Sequence, residues 1–306
     1  MSHSSSVGIQ GILIMAHRDL DWVLNLIRRF DDGRFAVFVH VDRKTDRTER
    51  QRFETACAKL GCVASVRSDL VVNWGGFNHL KAALLLARQA LTHGVDYLHF
   101  ITGQDYPVKP IDTIVATGAT QVNYLDSFPL PSDRTWRADA GGLARVDRFR
   151  PFDRFDYRTT HGHLAIKLVQ RAQKIVPIRR RLPHLQLYGG SAYWSLTREC
   201  VAYLLGYLDE NPRLMRRFEH TFAPEEILPQ TVLMNSSFAS TIVNENLRYI
   251  VWERRHGSRP AILDGSDFDG IVASSALFAR KFERQHSGEL LHRIDAEIHG
   301  RASSGT

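Results

Sequence analysis

The first third of the chain alternates short apolar runs with stretches whose apolar residues recur at helical spacing. Runs rich in β-branched and aromatic residues predict strands, and the helical spacing predicts the helices between them. The predicted strands are 8–15, 35–41, 63–67 and 97–102, and the predicted helices are 22–30, 53–60, 77–92 and 111–117. Strands that alternate with helices indicate a mostly parallel sheet flanked by helices, so we expect the α/β fold class.

The rest of the chain has a less regular pattern. Residues 126–183 are rich in Pro, Arg and Asp and contain one predicted helix, 164–175. This stretch fits an insertion that shapes an acceptor site, and it fits a surface excursion without function nearly as well. A strand at 191–196 and a helix at 198–208 follow. The Ser-rich start and the Ser-Ser-Gly end are predicted to be disordered.

Polar residues directly follow several of the predicted strands. Ala16 and His17 follow the first strand, Asp42 follows the second, and Asp105 lies just beyond the fourth. Ligands of parallel α/β sheets bind beyond the carboxyl ends of the strands. These residues are therefore the first candidates for a ligand site.

The formal net charge of +7 predicts attraction to anions. Nucleic acid, anionic lipid, an acidic acceptor and a nucleotide diphosphate all fit this charge. Arg residues are densest at 145–158 and 179–181, where a solvated surface and a role in substrate binding are equally good interpretations. No recognised DNA- or RNA-binding motif is present, so we expect no nucleic-acid partner.

The chain has no apolar run of the roughly twenty residues that a membrane-spanning helix needs, and no signal peptide is visible. Three cysteines, Cys57, Cys62 and Cys200, fit neither a disulfide framework nor a zinc-ligand pattern. We therefore expect a cytoplasmic protein without a transmembrane segment, and contact with the inner face of a membrane stays open.

Short motifs recur in one order along residues 10–285 of the chain. They are Ile14-Met15-Ala16-His17, His40-Val41-Asp42-Arg43-Lys44, Trp74-Gly75-Gly76, Gly103-Gln104-Asp105-Tyr106-Pro107, Gly189-Gly190-Ser191, Pro224-Glu225-Glu226, Thr231-Val232-Leu233, Asn246-Leu247-Arg248 and Phe278-Ala279-Arg280-Lys281-Phe282. Together they resemble the core-2/I-branching β-1,6-N-acetylglucosaminyltransferase and peptide O-xylosyltransferase family. Three of them, at 74–76, 231–236 and 278–283, are closer to the xylosyltransferase branch. The chain lacks most cysteines of the animal members, so we expect a compact, bacterial-type member.

The resemblance implies a GT-A-like fold with an elaborated C-terminal half, in a single glycosyltransferase domain over 1–306. Residues 8–125 would form the UDP-sugar-binding half and 126–285 the acceptor and catalytic half, with a C-terminal helix and disordered tail at 286–306. The implied reaction is the inverting transfer of a sugar from a UDP-sugar to a hydroxyl of a carbohydrate or protein acceptor. The positive net charge would suit an acidic acceptor.

Xylose is slightly favoured as the donor sugar over N-acetylglucosamine, because the motifs lean to the xylosyltransferase branch. One alternative is a β-1,6-N-acetylglucosaminyltransferase of the branching type. An alternative from another class is a catalytically idle protein that binds UDP or a polysaccharide.

An inverting transfer needs a base that takes the proton of the attacking hydroxyl. Glu226 is the candidate, because it aligns with the family's Pro-acid-Glu motif. Pro224 is typical of a first helical residue, and acids in a first helical turn also serve simply to complement the helix dipole. Glu225 and Trp252 are the candidates for binding the acceptor.

The leaving UDP develops negative charge that a cation must meet. The resemblance assigns this role to Lys281 and, at the best match, Arg259, with Arg254 and Arg255 as competitors. Two Asp-x-Asp stretches, 19–21 and 267–269, are interpreted as a helix cap and a loop turn rather than a metal site. We therefore expect no metal and no other cofactor.

The resemblance also implies the donor-binding residues. Asp42 would accept hydrogen bonds from the uridine, Ala16 and His17 would frame the base, and Asp105 would line the donor pocket or only begin a turn. A helix-cap role for His17 is about as good an interpretation. Trp194 fits a sugar-stacking role and a core role equally, and Trp74 fits a structural role better.

Overall fold

A computed structural model describes residues 8–176 and 180–300 of the chain. The Ser-rich start, the Ser-Ser-Gly end and Arg179 lie outside the described residues, so the statements about them stay predictions.

Twelve strands lie in the described part of the chain. They are β1 (Gln10–Ala16), β2 (Phe35–Val41), β3 (Val63–Arg67), β4 (Tyr97–Thr102), β5 (Asp105–Pro107), β6 (Asn123–Leu125), β7 (Phe128–Pro129), β8 (Tyr188–Gly189), β9 (Trp194–Thr197), β10 (Ile242–Val243), β11 (Arg248–Ile250) and β12 (Phe278–Arg280).

The described residues form eleven α-helices. They are α1 (Leu20–Arg28), α2 (Arg47–Cys57), α3 (Phe77–Thr92), α4 (Ile111–Ala119), α5 (Leu143–Asp147), α6 (Thr160–Ile175), α7 (Arg198–Glu210), α8 (Pro212–Phe218), α9 (Leu228–Met234), α10 (Phe268–Ala273) and α11 (Arg284–Ile294). Short 3₁₀ turns lie at Arg137–Gly142, Pro224–Glu226, Ser237–Thr241 and Gly265–Asp267, and a π turn lies at Asp295–His299. No helix in 8–176 or 180–300 is long and apolar enough to cross a membrane.

The centre of the molecule is a seven-stranded sheet with the order β10-β6-β9-β4-β1-β2-β3. Neighbouring strands are parallel except β9, which runs antiparallel to β4 and to β6. The sheet takes strands from both halves of the chain. The mostly parallel α/β fold with flanking helices, consistent with the GT-A-like class, is confirmed.

Alternate side chains of β1 enter two hydrophobic cores, one on each face of the sheet. Ile12 and Ile14 pack with residues of α1, α2 and α11, and Leu13 and Met15 pack with residues of α3, α7 and α9. The three cysteines are free and buried in these cores. Burial on both faces explains why the strand reads as an unbroken apolar run.

A second, three-stranded sheet has the order β11-β12-β5. Strand β12 is parallel to β11 and antiparallel to β5, so that Arg280 pairs in register with Asp105. The short loop between β4 and β5 therefore brings the end of β12, with Lys281 next in the chain, to the carboxyl end of the central sheet.

Several predicted elements have the observed bounds, including β2, β3, β4 and α3. Two helices begin earlier than predicted because a side chain caps them. Asp46 accepts hydrogen bonds from the amides of Thr48 and Glu49 at the start of α2, and Thr159 accepts one from Gly162 at the start of α6.

Candidate active site

A cavity of about 400 Å³ opens at the carboxyl ends of β1, β2 and β4. Its walls also include the 3₁₀ turn at 224–226, the loop at Trp74 and the residues that follow β12. Seven of the predicted site residues line this one cavity: Ala16, His17, Asp42, Glu225, Glu226, Arg259 and Lys281.

Asp42 is buried at the cavity wall and its carboxylate is held by backbone amides. Its Oδ1 accepts hydrogen bonds from the amide of Lys44 at 3.0 Å and from the amide of Val72 at 3.2 Å. The backbone amide of Asp42 donates to the carbonyl of Ala16 at 2.8 Å, which ties the ends of β1 and β2 together. The site therefore presents a fixed carboxylate beside the first strand end.

His17 lies next to Asp42 in the cavity wall. The surrounding protein removes the imidazole of His17 partly from bulk water, and this effect, followed by the nearby charges of Arg18 and Arg158, lowers its pKa to about 4. The imidazole is therefore neutral near pH 7 and can both donate and accept a hydrogen bond.

Two further cations, Lys44 and Arg158, line the cavity. The Nζ of Lys44 lies 2.8 Å from Oδ1 of Asn73, 2.6 Å from Oδ2 of Asp156 and 3.8 Å from Oδ2 of Asp42. The chain that follows β2 therefore holds Lys44 in ion pairs beside the carboxylate of Asp42.

Lys281 follows β12 and points into the cavity from the second sheet. Its Nζ lies 2.9 Å from Oε1 of Glu283 and 3.3 Å from Oγ of Ser258. Oε1 of Glu283 also accepts from Arg18 and from Gln104, the latter at 3.2 Å. Glu283 thus holds Lys281 at the edge of the central sheet.

The loop at 252–260 holds the three arginines that are candidates for contacting the diphosphate, and the structure puts them in different environments. Arg259 is exposed and lines the cavity, whereas Arg254 lies only in a neighbouring surface depression. Arg255 forms ion pairs with Asp267 at 2.7 Å and with Asp264 at 3.1 Å, so it braces the turn before α10. Arg259 is the arginine of this loop whose position fits a ligand in the cavity.

Glu225 and Glu226 lie in the 3₁₀ turn Pro224–Glu226, as the proline predicts. The turn is fixed at both sides by backbone hydrogen bonds. The amide of Ala223 donates to the carbonyl of Gly75 at 2.9 Å, and the amide of Gly190 donates to the carbonyl of Glu226 at 2.9 Å. Both acids face the cavity from a rigid position.

Glu226 has the environment of a tuned carboxylic acid. Its side chain is 33 % exposed, and its Oε2 lies 2.7 Å from Nη1 of Arg145. Removal from bulk water raises the pKa of Glu226, and the negative charge of Glu225 raises it further. The positive charge of Arg145 lowers it, and the balance leaves the pKa at about 7. Such a group exchanges a proton near neutral pH.

Arg145 is itself held from three sides. Its guanidinium stacks 3.6 Å above the ring of Trp136 and 5.0 Å from that of Phe222, and its Nε lies 3.3 Å from Oδ2 of Asp139. One member of the Arg-rich stretch 145–158 is therefore a buried partner of Glu226, which its sequence position did not indicate.

Glu225 pairs with His79, a residue of α3. Oε1 of Glu225 lies 2.9 Å from Nδ1 of His79. Burial alone lowers the pKa of His79, but the carboxylate of Glu225 outweighs that effect and raises it, so the imidazolium is favoured. Oε2 of Glu225 is buried and accepts no hydrogen bond from the described residues.

Trp74, whose sequence position fits a structural role better, both packs in an aromatic cluster and lines the cavity. Its side chain is 48 % exposed, lines the cavity and packs against Phe152, Tyr157 and Phe222. Gly75 has φ +75°, and a Cβ there would lie 2.4 Å from the ring of Phe222. Glycine is therefore required at this turn.

Asp105 lies behind the cavity wall rather than in it. It is fully buried, and its Oδ1 lies 3.1 Å from Nη1 of Arg280. Arg280 lines the cavity and lies 4.3 Å above the ring of Tyr193, a second lining residue that the sequence did not single out. Asp105 contacts two lining residues from behind, because its Oδ2 also accepts a hydrogen bond from the amide of Thr102.

The other two tryptophans considered as sugar-stacking candidates, Trp194 and Trp252, do not line the cavity. Trp194 is buried and stacks on Phe100 in the core. Trp252 is 65 % exposed in the neighbouring depression, which shares Arg259 with the cavity. A role of Trp252 at the acceptor requires an acceptor that extends beyond Arg259.

Neither Asp-x-Asp stretch lines the cavity. Asp19 is at the N-cap position of α1, but its side chain makes no capping hydrogen bond. The stretch 267–269 lies at the start of α10 rather than in a loop, because Asp264 and Asp267 form a capping box there. Among residues 8–176 and 180–300, no three His, Cys, Asp or Glu side chains group as metal ligands.

The model of the Core-2/I-Branching enzyme family matches residues 12–269. The chain belongs to this family. The match spans β1 to the start of α10 and includes most of the residues that line the cavity. The resemblance that the short motifs indicate is confirmed.

The curated relatives of this Core-2/I-Branching family member that are described next are xylosyltransferases. Both the family and these relatives are glycosyltransferases. Xylosyltransferase 1 of Canis lupus familiaris is 26 % identical over 291 residues, which cover 88 % of this chain and 28 % of that protein. Xylosyltransferase 2 of Homo sapiens is 25 % identical over 322 residues, which cover 98 % of this chain and 35 % of that protein. The chain thus spans about a third of the length of these relatives.

Proposed function

We propose that this chain catalyses the inverting, metal-independent transfer of a sugar, with xylose favoured, from a UDP-sugar to an acceptor hydroxyl. One observation carries the proposal: a single cavity holds Glu226, whose pKa is raised to about 7, together with Lys281 and Arg259. A base that titrates near neutral pH and a cationic site for the leaving group are what this reaction requires. Membership of a glycosyltransferase family supports the same reaction class.

The strand ends hold the nucleoside part of the donor in this proposal. Asp42 accepts hydrogen bonds from the uridine through its Oδ2. Its Oδ1 already accepts hydrogen bonds from two backbone amides, those of Lys44 and Val72. The neutral His17 and the backbone of Ala16 frame the base. The diphosphate then extends toward Lys281 and Arg259, which line the same cavity.

Glu226 takes the proton of the acceptor hydroxyl as its oxygen attacks the anomeric carbon. The new carbon–oxygen bond forms while the bond from the anomeric carbon to the β-phosphate oxygen breaks, and the bonding electrons leave with UDP. A single displacement of this kind inverts the anomeric configuration. Arg145 fixes the orientation of Glu226, because Nη1 lies 2.7 Å from Oε2.

Lys281 and Arg259 meet the charge that develops on the diphosphate. Lys281 is paired with Glu283, so binding of the diphosphate shares or replaces that contact. Two basic side chains at this point perform the role that a divalent cation performs in metal-dependent enzymes. This is the support for metal independence.

Glu225 and Trp74 position the sugars. The buried Oε2 of Glu225 lacks a hydrogen-bond partner among the described residues. A sugar hydroxyl that donates to this oxygen would satisfy it and so gain favourable free energy. The exposed ring of Trp74 offers a flat apolar face for the C–H side of a sugar. Trp252 contacts only an acceptor long enough to pass Arg259.

Xylose is the favoured donor sugar because the relatives named above are xylosyltransferases. Transfer of N-acetylglucosamine by a branching-type enzyme is the alternative within the family. A catalytically idle UDP-binding protein is the alternative from another class. The pairing of a tuned acid with two cations in one cavity favours an enzyme, because binding UDP alone does not require a group with the pKa of Glu226.

The test is release of UDP from a panel of UDP-sugars, measured with and without carbohydrate and hydroxyl-bearing peptide acceptors. We expect acceptor-dependent release with UDP-xylose above the other donors. Preferred release from UDP-N-acetylglucosamine would select the branching-type alternative. Tight binding of UDP without release from any donor would select the idle binding protein.

A further inference from the structure

Helix α6 carries an exposed apolar stripe on the surface of the protein. Leu164 is 57 % exposed, Leu168 is 55 % exposed and Ile175 is 84 % exposed. At about 100° per residue these three side chains fall within one narrow sector of the helix. Ile166, on another side of the helix, is buried against the protein.

The same exposed face is basic and carries no acid. Lys167 and Lys174 flank the apolar stripe on one side, and Arg171 lies between them and the stripe; all three are exposed. Helix α6 contains no Asp or Glu over its length. A surface helix with an apolar stripe and only positive charges is typical of segments that lie in the headgroup region of a membrane.

The charge of the protein is concentrated in this region. Between 145 and 181 the chain has eleven Lys and Arg and three Asp, which exceeds the formal net charge of +7 of the whole chain. Gln173 lies on the side of α6 opposite the stripe, and its side chain bonds both the amide and the carbonyl of Phe149, which ties that side of the helix to the Arg-rich stretch. Arg145 pairs with Glu226 and Arg158 lines the cavity, so the cations on the exposed face of α6 itself are Lys167, Arg171 and Lys174.

We propose that α6 docks the protein onto an anionic lipid surface, with Leu164, Leu168 and Ile175 inserted among the lipids and Lys167, Arg171 and Lys174 at the headgroups. The basic residues select negatively charged lipid, and the apolar side chains supply the attraction that salt does not screen. This inference concerns a surface outside the cavity and does not depend on the proposed glycosyl transfer.

The charges of α6 favour lipid over a second copy of the chain. A two-fold dimer through this face would set the same Lys and Arg side chains of two copies against each other, and like charges in contact oppose association. An anionic bilayer offers complementary charge and an apolar interior at once.

The chain that lines the cavity continues directly into α6. Arg158 lines the cavity, and α6 begins at Thr160, after one intervening residue.

The test is co-sedimentation of the full chain with vesicles of phosphatidylcholine alone and of phosphatidylcholine with an equal part of phosphatidylglycerol. We expect binding to the anionic vesicles only, weakened by salt. The Lys167→Gln/Lys174→Gln variant should lower the partition coefficient about thirtyfold, since each of the two basic residues near the surface contributes about 1 kcal/mol. Leu164→Ser/Leu168→Ser should lower binding to the same vesicles at high salt, where attraction between charges is screened.

The matched control is Arg47→Gln/Arg52→Gln on α2, which removes two exposed charges from a helix whose apolar residues Phe53 and Cys57 are buried. It should bind vesicles as the unsubstituted chain does. Equal losses in both charge variants would mean that net charge alone drives binding and would overturn the proposal. Failure to bind anionic vesicles would do the same, as would a concentration-dependent dimer that Leu164→Ser/Leu168→Ser abolishes.

Discussion

At the scale of single residues, the behaviour of Glu226 follows from two opposing effects. Partial removal from water favours the protonated carboxylic acid, and the guanidinium of Arg145 favours the carboxylate. The balance leaves the pKa of Glu226 at about 7, well above the usual range for a glutamate. The site therefore holds a base that is available at neutral pH and weak enough to hand its proton on.

We predict that Glu226→Gln keeps UDP-sugar binding and lowers turnover by about 10²–10⁴-fold, which is the usual contribution of a positioned general base. Glutamine has a similar shape but cannot accept the proton. Donor affinity by calorimetry and turnover by UDP release separate the two effects.

Glu225→Gln is the matched comparison, because Glu225 pairs with His79 and should affect positioning rather than proton transfer. If Glu225→Gln were the variant with the lost turnover, the assignment of the base within the turn would be wrong.

We also predict the pH dependence of kcat/KM. Because Glu226 must be deprotonated to act as the base and its pKa is raised to about 7, activity should rise with pH through about 7 and fall below it. Arg145→Gln removes the charge that lowers the pKa of Glu226, so the acidic limb should move to higher pH. An acidic limb near pH 4.5, unchanged in Arg145→Gln, would contradict this account of the site.

Part of this residue-scale arrangement could be predicted from the sequence. Glu226, Lys281 and Asp42 stand in motifs that the family resemblance carries over directly. Arg145 could not be found in this way, because it lies 81 residues from Glu226 and the Arg-rich stretch around it fits a solvated surface as well as a role in substrate binding. His79 was missed for the same reason, since its helix position gives no sign of its contact with Glu225.

At the scale of elements, the site depends on short loops that enter one cavity from different parts of the fold. The turn at 224–226 is fixed by the loop at Gly75, and the cationic site combines the end of β12 with the loop that follows β11. Loops held by a rigid sheet can place reacting groups accurately although they are far apart in sequence.

We predict that Lys281→Ala and Arg259→Ala each lower turnover by about 10²–10³-fold, the usual effect of removing one group that stabilises developing charge. Turnover should fall more than donor affinity, because the charge on the diphosphate is larger in the transition state than in the bound donor. Turnover and donor affinity should be compared at one fixed salt concentration.

Arg254→Ala is the control for this pair, since Arg254 lies in the neighbouring depression and should change turnover less than tenfold. Arg255→Ala is unsuitable as a neutral control, because Arg255 pairs with Asp264 and Asp267. Unchanged turnover in Lys281→Ala would remove the support for metal-free catalysis.

A second element-scale prediction concerns the Trp74–Gly76 loop. Gly75→Ala should lower the free energy of unfolding by about 1–3 kcal/mol more than Gly94→Ala, because only the former adds an overpacked contact. Both glycines have positive φ, but a Cβ at Gly94 meets nothing within 4 Å. Denaturant titration gives the difference, and equal losses would contradict the tight contact with Phe222.

Element bounds followed from sequence where the apolar pattern was continuous. β2, β4 and α3 have the predicted bounds because their residues are buried in the two cores. The start of α2 was missed because the cap, Asp46, lies before a polar first turn that lacks the helical apolar spacing. In the stretch 126–176 only helix α6 was predicted, because the part before it contacts the rest of the fold through Arg and aromatic side chains such as Arg145, Phe152 and Tyr157 rather than through a periodic apolar face.

At the scale of the whole molecule, one sheet joins strands from both halves of the chain and places the cavity at its carboxyl edge. The division into a donor half and an acceptor half stays a prediction, as does the cytoplasmic location. Positive charge lies in two parts of the molecule, on the cations that line the cavity and on the exposed surface of α6. Only the first is needed for the proposed reaction.

The central claim is acceptor-dependent transfer from a UDP-sugar without a metal. The most direct measurement is UDP release from UDP-xylose with an acceptor, in excess EDTA, by the unsubstituted chain and by Glu226→Gln. The account predicts the same rate with and without EDTA for the unsubstituted chain and a rate about 10²–10⁴-fold lower for Glu226→Gln. Loss of activity in EDTA that manganese restores, or full activity in Glu226→Gln, would contradict it.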